Sequence, residues 1–170
     1  LYFETGELLV ESCHFSGNHV YCSECVYPSG GGLYIRGALG VALKNSTVDH
    51  NDAWMGSGLY ALDSSSSRAL LTIRYSIVQD NGWIEGGYGG GIYLAKTNAA
   101  LYQVQMIHNR AINEGAGIRA EDGTLVLRFV AGLAFVADFH WLTWFPVEFN
   151  APLWSIGCEV KVAEGAKPWP

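Results

Sequence analysis

Charge is what this chain of 170 residues has least of. Only 15% of its residues are charged, with ten Lys or Arg against sixteen Asp or Glu and a net charge of −6. Cations this few and this scattered draw no footprint for phosphates, which excludes a nucleic-acid partner. Long hydrophobic runs are missing as well. The apolar run Phe129–Ala137 is nine residues, far short of the roughly 20 a membrane-crossing helix needs. No basic segment opens the chain: "LYFETGELLVESC" already carries Glu4, Glu7 and Glu11, so no signal peptide is read there. Beginning without Met and in mid-pattern, the chain reads as a piece of something longer, which leaves secretion open. No G-x-y triplet persists, which excludes collagen, and an apolar content near half excludes disorder.

What the chain has in excess is glycine, 21 residues, nearly twice ordinary usage, and the glycines are placed. Four segments align when each is ended on an asparagine: "LLVESCHFSGN", "VALKNSTVDHN", "LTIRYSIVQDN" and "ALYQVQMIHN". Their asparagines, Asn18, Asn51, Asn81 and Asn109, lie 33, 30 and 28 residues apart. Three positions before each stands an apolar residue: Phe15, Val48, Val78 and Met106. Eight before stands another: Val10, Leu43, Ile73 and Leu101. A second marker follows each asparagine, a glycine joined to Leu or Ile: Gly32-Leu33, Gly58-Leu59, Gly91-Ile92 and Gly117-Ile118.

Two markers alternating four times make a repeat of about 30 residues, with strands, an Asn turn, a variable polar loop and a Gly turn. A unit that short cannot bury its apolar face alone, so units stack and each strand pairs with its counterpart one layer away. Phe15, Val48, Val78 and Met106 are then expected to form one interior column, and Leu33, Leu59, Ile92 and Ile118 another. Asn18, Asn51, Asn81 and Asn109 are expected at corners, because Asn tolerates left-handed backbone angles and stacked amides bond up and down a ladder. Gly32, Gly58, Gly91 and Gly117 are expected at corners because Gly reaches positive φ freely and lets backbone approach backbone. The predicted fold is all-β, a right-handed parallel β-helix of about four coils over 1–124. Residues 125–170 form an apolar, aromatic tail that is partly helical and caps the solenoid's open end.

The markers resemble the repeats of the pectate-lyase-like superfamily, and most of all those of polymorphic outer-membrane proteins, written GGA[I/L/V] and FxxN. "FSGN" matches FxxN outright, while "VDHN", "VQDN" and "MIHN" put another apolar residue in place of the aromatic. "GGGL", "GSGL", "GGGI" and "GAGI" match the glycine tetrapeptide with its third position relaxed. The resemblance covers about 7–127. It implies a surface-exposed, adhesive or structural role, and some relatives cleave polysaccharides.

Catalysis on such a scaffold requires convergent groups: two carboxylates for hydrolysis, or, by the same resemblance, acidic calcium ligands with an Arg or Lys base for elimination. The candidates are Asp49, Asp52, Asp63 and Asp80 with Arg36, Arg74 and Arg119. The aspartates stand at different offsets from their asparagines, so they do not stack as a set, and no catalytic residue is assigned. His14, His50 and His108 fall near the Asn corners as polar turn residues. "CSEC" (22–25) beside His19 offers metal-ligand types, but a second pair is missing; a local disulfide of Cys22 and Cys25, or free thiols, is expected instead. No metal and no cofactor is expected. "NST" (45–47) spells a glycosylation acceptor, which the repeat register puts inside a strand.

In the tail, "FNAPLWSIGCEV" (149–160) resembles the N-x-PLWSLxxE signature of the membrane-bound acyltransferase-3 family through Trp154, Ser155 and Glu159, with Arg128 and His140 only approximating its Arg/His pair. That implies membrane association through 125–160 and a truncated sugar acyltransferase fused to repeats. The expected function is a non-enzymatic scaffold or adhesin-like segment, extracellular or at the cell surface, with carbohydrate or a host or cell-surface protein as partner. The alternative is a carbohydrate-active fragment.

Overall fold

The computed structural model describes residues 1–22, 24, 27–62, 70–82, 87–113, 115–128, 130, 135–139, 148–149 and 158–162. Its strands follow one another as β1 (Tyr2–Glu11), β2 (His14–Ser16), β3 (Leu33–Lys44), β4 (Thr47–Asp49), β5 (Leu59–Leu62), β6 (Leu70–Arg74), β7 (Ile77–Gln79), β8 (Ile92–Ala95), β9 (Asn98–Tyr102), β10 (Gln105–Ile107), β11 (Ile118–Glu121) and β12 (Leu125–Arg128). Every pairing among them is parallel. The chain therefore winds as a parallel β-helix of about four coils, each with three walls. The first wall stacks the leading halves of β1 and β3 with β5, β8 and β11. The second stacks their trailing halves with β6, β9 and β12, and the third is β2, β4, β7 and β10.

Alternation decides what points inward, since successive side chains in a strand face opposite sides. On the first wall Leu33, Leu59, Ile92 and Ile118 stand in one register column, and all are buried. On the second, Val10, Leu43, Ile73, Leu101 and Leu127 form the corresponding column. On the third, Phe15 pairs with Val48, Val48 with Val78 and Val78 with Met106. These columns meet in one continuous core.

The aligned segments ending on asparagine are not single strands. Each breaks in two at one left-handed residue, Ser12, Asn45, Tyr75 or Gln103, with φ of 54, 48, 53 and 52°. Because none of these is glycine, the corner between the second and third walls carries no mark in the sequence. The rung-to-rung hydrogen bonds run straight through it, as in Ser12 N–H to Lys44 O at 3.0 Å and Tyr75 N–H to Tyr102 O at 3.1 Å.

At the other corners the expected residues and the left-handed ones differ by a position or two. Positive φ falls on Gly17, His50, Asp80 and His108, the residues just before the four asparagines. It falls on Gly30, Gly56, Gly89 and Gly115, two residues before the marker glycines. The asparagines and the marker glycines therefore serve by contact rather than by left-handed backbone.

The solenoid also runs past residue 124. Leu125 and Leu127 pair with Ala99 and Leu101, because "LVLR" keeps the two-residue alternation although the Gly and Asn markers have ended. Further on come β13 (Phe135–Phe139), β14 (Glu148–Phe149) and β15 (Cys158–Val162). β14 adds to β12, and β13 pairs with β15. Where a partly helical tail is expected, every element among the described residues is a strand. No helix among the described residues is long and apolar enough to cross a membrane.

Candidate functional site

The third wall leads into its corner, and there the asparagines stack. Asn18 Nδ2 donates to Asn51 Oδ1 at 2.8 Å, Asn51 Nδ2 to Asn81 Oδ1 at 3.1 Å, and Asn81 Nδ2 to Asn109 Oδ1 at 2.9 Å. Each acceptor oxygen also takes the backbone N–H of the asparagine before it in the ladder, at 3.0–3.2 Å. Each inner amide nitrogen reaches back to a strand carbonyl: Asn51 to Phe15, Asn81 to Val48 and Asn109 to Val78. Asn51 and Asn81 are wholly buried, and a buried amide is stable only when its polar atoms are satisfied in this way.

The marker glycines make that ladder fit. A Cβ on Gly32 would lie 2.9 Å from Asn51 Nδ2 and 2.7 Å from Gly58 O. On Gly58 it would meet Asn81 Cγ at 3.1 Å and Gly91 O at 2.5 Å, and on Gly91 Asn109 Cγ at 3.1 Å and Gly117 O at 2.5 Å. The amide column lies against a bare Cα column, so the two sequence markers are halves of one packing device.

Outside this ladder, all four histidines among the described residues stand beside an aspartate. His14 Nε2 is 2.8 Å from Asp49 Oδ1 and His50 Nδ1 is 3.5 Å from Asp49 Oδ2. His19 Nδ1 is 3.2 Å from Asp52 Oδ2, and His108 Nδ1 is 3.6 Å from Asp80 Oδ1. Asp49 is buried. Burial alone pushes its pKa up, but hydrogen bonds from Ser16 and His14, the His14 charge and the bond from His50 outweigh that and hold the carboxyl below its ordinary value. A carboxylate so held is an acceptor and not a proton donor, the reverse of what a glycosidic general acid requires.

The arginines weighed as bases lie on other walls. Arg36, on the first wall, is 4.0 Å from Glu4. Arg74, on the second, covers the ring of Tyr102 at 4.6 Å. Arg119, on the first, covers Tyr88 at 4.3 Å and bonds Glu121 through Nε at 2.9 Å. Asp49, Asp52 and Asp80 belong to the third wall and the corner after it, so the structure does not bring these aspartates and those arginines together. Among the described residues no three His, Cys, Asp or Glu side chains converge to hold a metal.

The first wall carries a feature that sequence reasoning missed. Tyr2, Tyr34, Tyr60 and Tyr93 stack outward of the core with centroids 5.2, 5.2 and 5.3 Å apart. Arg119 closes the column over Tyr93 at 5.5 Å. Burial, and then a hydrogen bond to Glu121, push the Tyr93 phenol well above its ordinary pKa. The signal was present in the triplets "GLY", "GLY", "GIY" and "GIR", where the residue after each marker Leu or Ile is the one that stacks. Stacked rings cover one another's faces, so this column is a spine more than a platform.

The remaining candidates are placed as follows. Cys22 is half of a disulfide, and Cys25 lies outside the described residues; Cys13 is free and exposed. Asp63, Trp154, Ser155 and His140 lie outside the described residues, and Glu159 falls in β15. Arg128 belongs to β12 and stands over Tyr102.

The family model described as "Right handed beta helix region" matches residues 1–128, the span of the three walls. Neither a curated protein nor a solved structure matches the chain.

Proposed function

We propose, from the premise that this chain belongs to the right-handed beta-helix family, that it is a non-catalytic scaffold segment of a surface or secreted protein, adhesin-like in use. The observation that carries this reading is the consumption of its polar groups. Asp49 is bound on both oxygens by its own neighbours, the corner amides are used in one another, and the cations weighed as bases stand on other walls. A scaffold needs these contacts; an active site needs some of them open. The likeness of the Asn and Gly markers to polymorphic outer-membrane-protein repeats supports the cell-surface setting, with a carbohydrate or a cell-surface protein as partner. The acyltransferase-3-like stretch at 149–160 supports membrane association of the tail.

The test is turnover. The purified chain is incubated with a panel of acidic and neutral polysaccharides, with and without calcium, and new reducing ends and unsaturated uronate are measured. No product is expected. Turnover that disappears in Asp49→Asn or Asp80→Asn would replace the scaffold with a carbohydrate-active enzyme. Partition of the chain into liposomes, lost when 131–170 is deleted, would support the membrane-associated tail.

A further inference from the structure

We propose that Asn45 is an N-glycan acceptor. The repeat register read from the sequence puts "NST" inside a strand, but the strands end one residue earlier and resume two later. Asn45 is the left-handed corner residue between β3 and β4, with φ 48°, and it is exposed. The ladder asparagines Asn51, Asn81 and Asn109 have amide nitrogens committed to neighbouring coils. Asn45 differs from them: its backbone N–H bonds Arg74 O at 3.1 Å, and its side-chain amide makes no hydrogen bond among the described residues.

The two residues that complete the tripeptide divide as an acceptor site requires. Ser46 is buried, its hydroxyl donating to Lys44 O at 2.7 Å. Thr47 turns the other way, on the outer side of β4, and its hydroxyl makes no hydrogen bond among the described residues. The Asn45 amide and the Thr47 hydroxyl, the two groups an N-x-Ser/Thr acceptor presents, are thus both uncommitted and neither is in the core. No other N-x-Ser/Thr tripeptide occurs in the chain.

A glycan at this corner is compatible with the fold. Its column neighbours Ser12, Tyr75 and Gln103 are all exposed, so the sugar projects from a solvent ridge and crosses no rung. Transfer precedes winding, because in the folded coil the backbone on both sides is tied up: Thr47 N–H donates to Cys13 O at 2.9 Å. In the reaction the amide nitrogen of Asn45 forms a bond to the anomeric carbon of a lipid-pyrophosphate-linked oligosaccharide. The bond from that carbon to the pyrophosphate oxygen breaks, the lipid pyrophosphate leaves with the electron pair, and the amide gives up one proton. The transferase and the lipid-linked donor belong to the secretory compartment, so the inference rests on the reading of the chain as a secreted or surface protein.

The full chain is expressed behind a cleavable leader in a glycosylating eukaryotic line, with one N-x-Thr tripeptide appended at its C-terminus as an internal standard, and secreted species glycosylated on that standard are weighed intact before and after peptide N-glycosidase. Two glycans are expected on the wild type, one on Asn45→Gln and on Thr47→Ala, and two on Thr47→Ser. Thr47→Ala leaves Asn45 in its corner and so separates an acceptor from a merely structural asparagine. A wild type carrying only the appended glycan overturns the proposal. Because the leader forces entry, that result leaves the secreted or surface reading standing.

Discussion

Replacing Asn81 by alanine tests the central claim about how the coils are locked. Asn81 sits at a wholly buried position and makes four side-chain bonds. Its oxygen accepts from Asn51 N–H and Asn51 Nδ2, and its nitrogen donates to Val48 O and Asn109 Oδ1. Not all four partners are orphaned by truncation. Asn51 Nδ2 keeps Phe15 O, and Asn109 Oδ1 keeps the backbone N–H of residue 81. The Asn51 N–H loses its acceptor outright, while the Val48 carbonyl loses one of its contacts but stays in the ladder between β4 and β7. With about 1–3 kcal/mol for the unsatisfied buried N–H and about 1 kcal/mol for the bond lost at the carbonyl, the cost is roughly 2–4 kcal/mol, a sizeable fraction of the ~5–15 kcal/mol that holds a domain together. Asn18 is the control. It is exposed at the end of the ladder, and its loss leaves Asn51 Oδ1 still accepting the residue-18 N–H at 3.1 Å. Asn18→Ala is therefore expected to cost under ~1 kcal/mol. Urea unfolding followed by far-ultraviolet circular dichroism, with m-values compared to detect coil-by-coil opening, reads both. Equal midpoint shifts for the two variants would refute the ladder as the lock.

The glycine column gives a paired expectation. Gly91→Ala puts a Cβ 2.5 Å from the Gly117 carbonyl and is expected to lower stability by at least ~2 kcal/mol, as overpacking against backbone does, whereas Gly40→Ala meets nothing within 4 Å and is expected to be neutral in the same melt. Tyr75 holds φ 53° while 60% exposed, so Tyr75→Asn, copying Asn45 one rung away, is expected to raise the melting temperature by relieving up to ~1 kcal/mol of left-handed strain. Asp49, whose folded pKa lies below its ordinary 3.8, adds stability that is present above that value and lost as pH falls through the folded pKa. Asp49→Asn is expected to flatten the acid limb of a stability-against-pH curve below about pH 4, and an unchanged limb would dissociate Asp49 from it.

How much of this was open to reading depended on which residue types a corner uses. The inner columns were legible because a buried strand position must be apolar, so Val48, Val78 and Met106 announce themselves at a fixed distance from the asparagine. The asparagine corner was legible because a side-chain amide both donates and accepts along a stack. The corner at Ser12, Asn45, Tyr75 and Gln103 was not, since left-handed backbone there is imposed by the wall geometry on four unlike residues. Tyr34, Tyr60 and Tyr93 were visible as letters but not as a column, because the outer register of a wall follows only once the inner one is known. The His–Asp pairs depend on distances that spacing along the chain does not contain: His14 meets Asp49 across 35 residues.

The solenoid's freedom to acquire a function lies in its loops and not in its corners. Three of the marker glycines lie against asparagine amides, so changing either member strands a buried dipole or drives a Cβ into a carbonyl. The walls are bound by their interior columns, and on the first wall by the tyrosine stack outside as well. The stretches from each asparagine to Gly30, Gly56, Gly89 and Gly115 are where the coils differ in length: 19–29, 52–55, 82–88 and 110–114. They share an edge of the solenoid at which His19 bridges to Asp52 and Ser29, Met55 and Tyr88 keep a thin parallel register. Exchanging the 19–29 loop for the length and sequence of 52–55 should therefore leave the core columns and the unfolding midpoint of the remaining coils nearly unchanged. If the melt collapsed with that loop, the corners would not be self-sufficient, and the division between a fixed frame and variable loops would have to be abandoned.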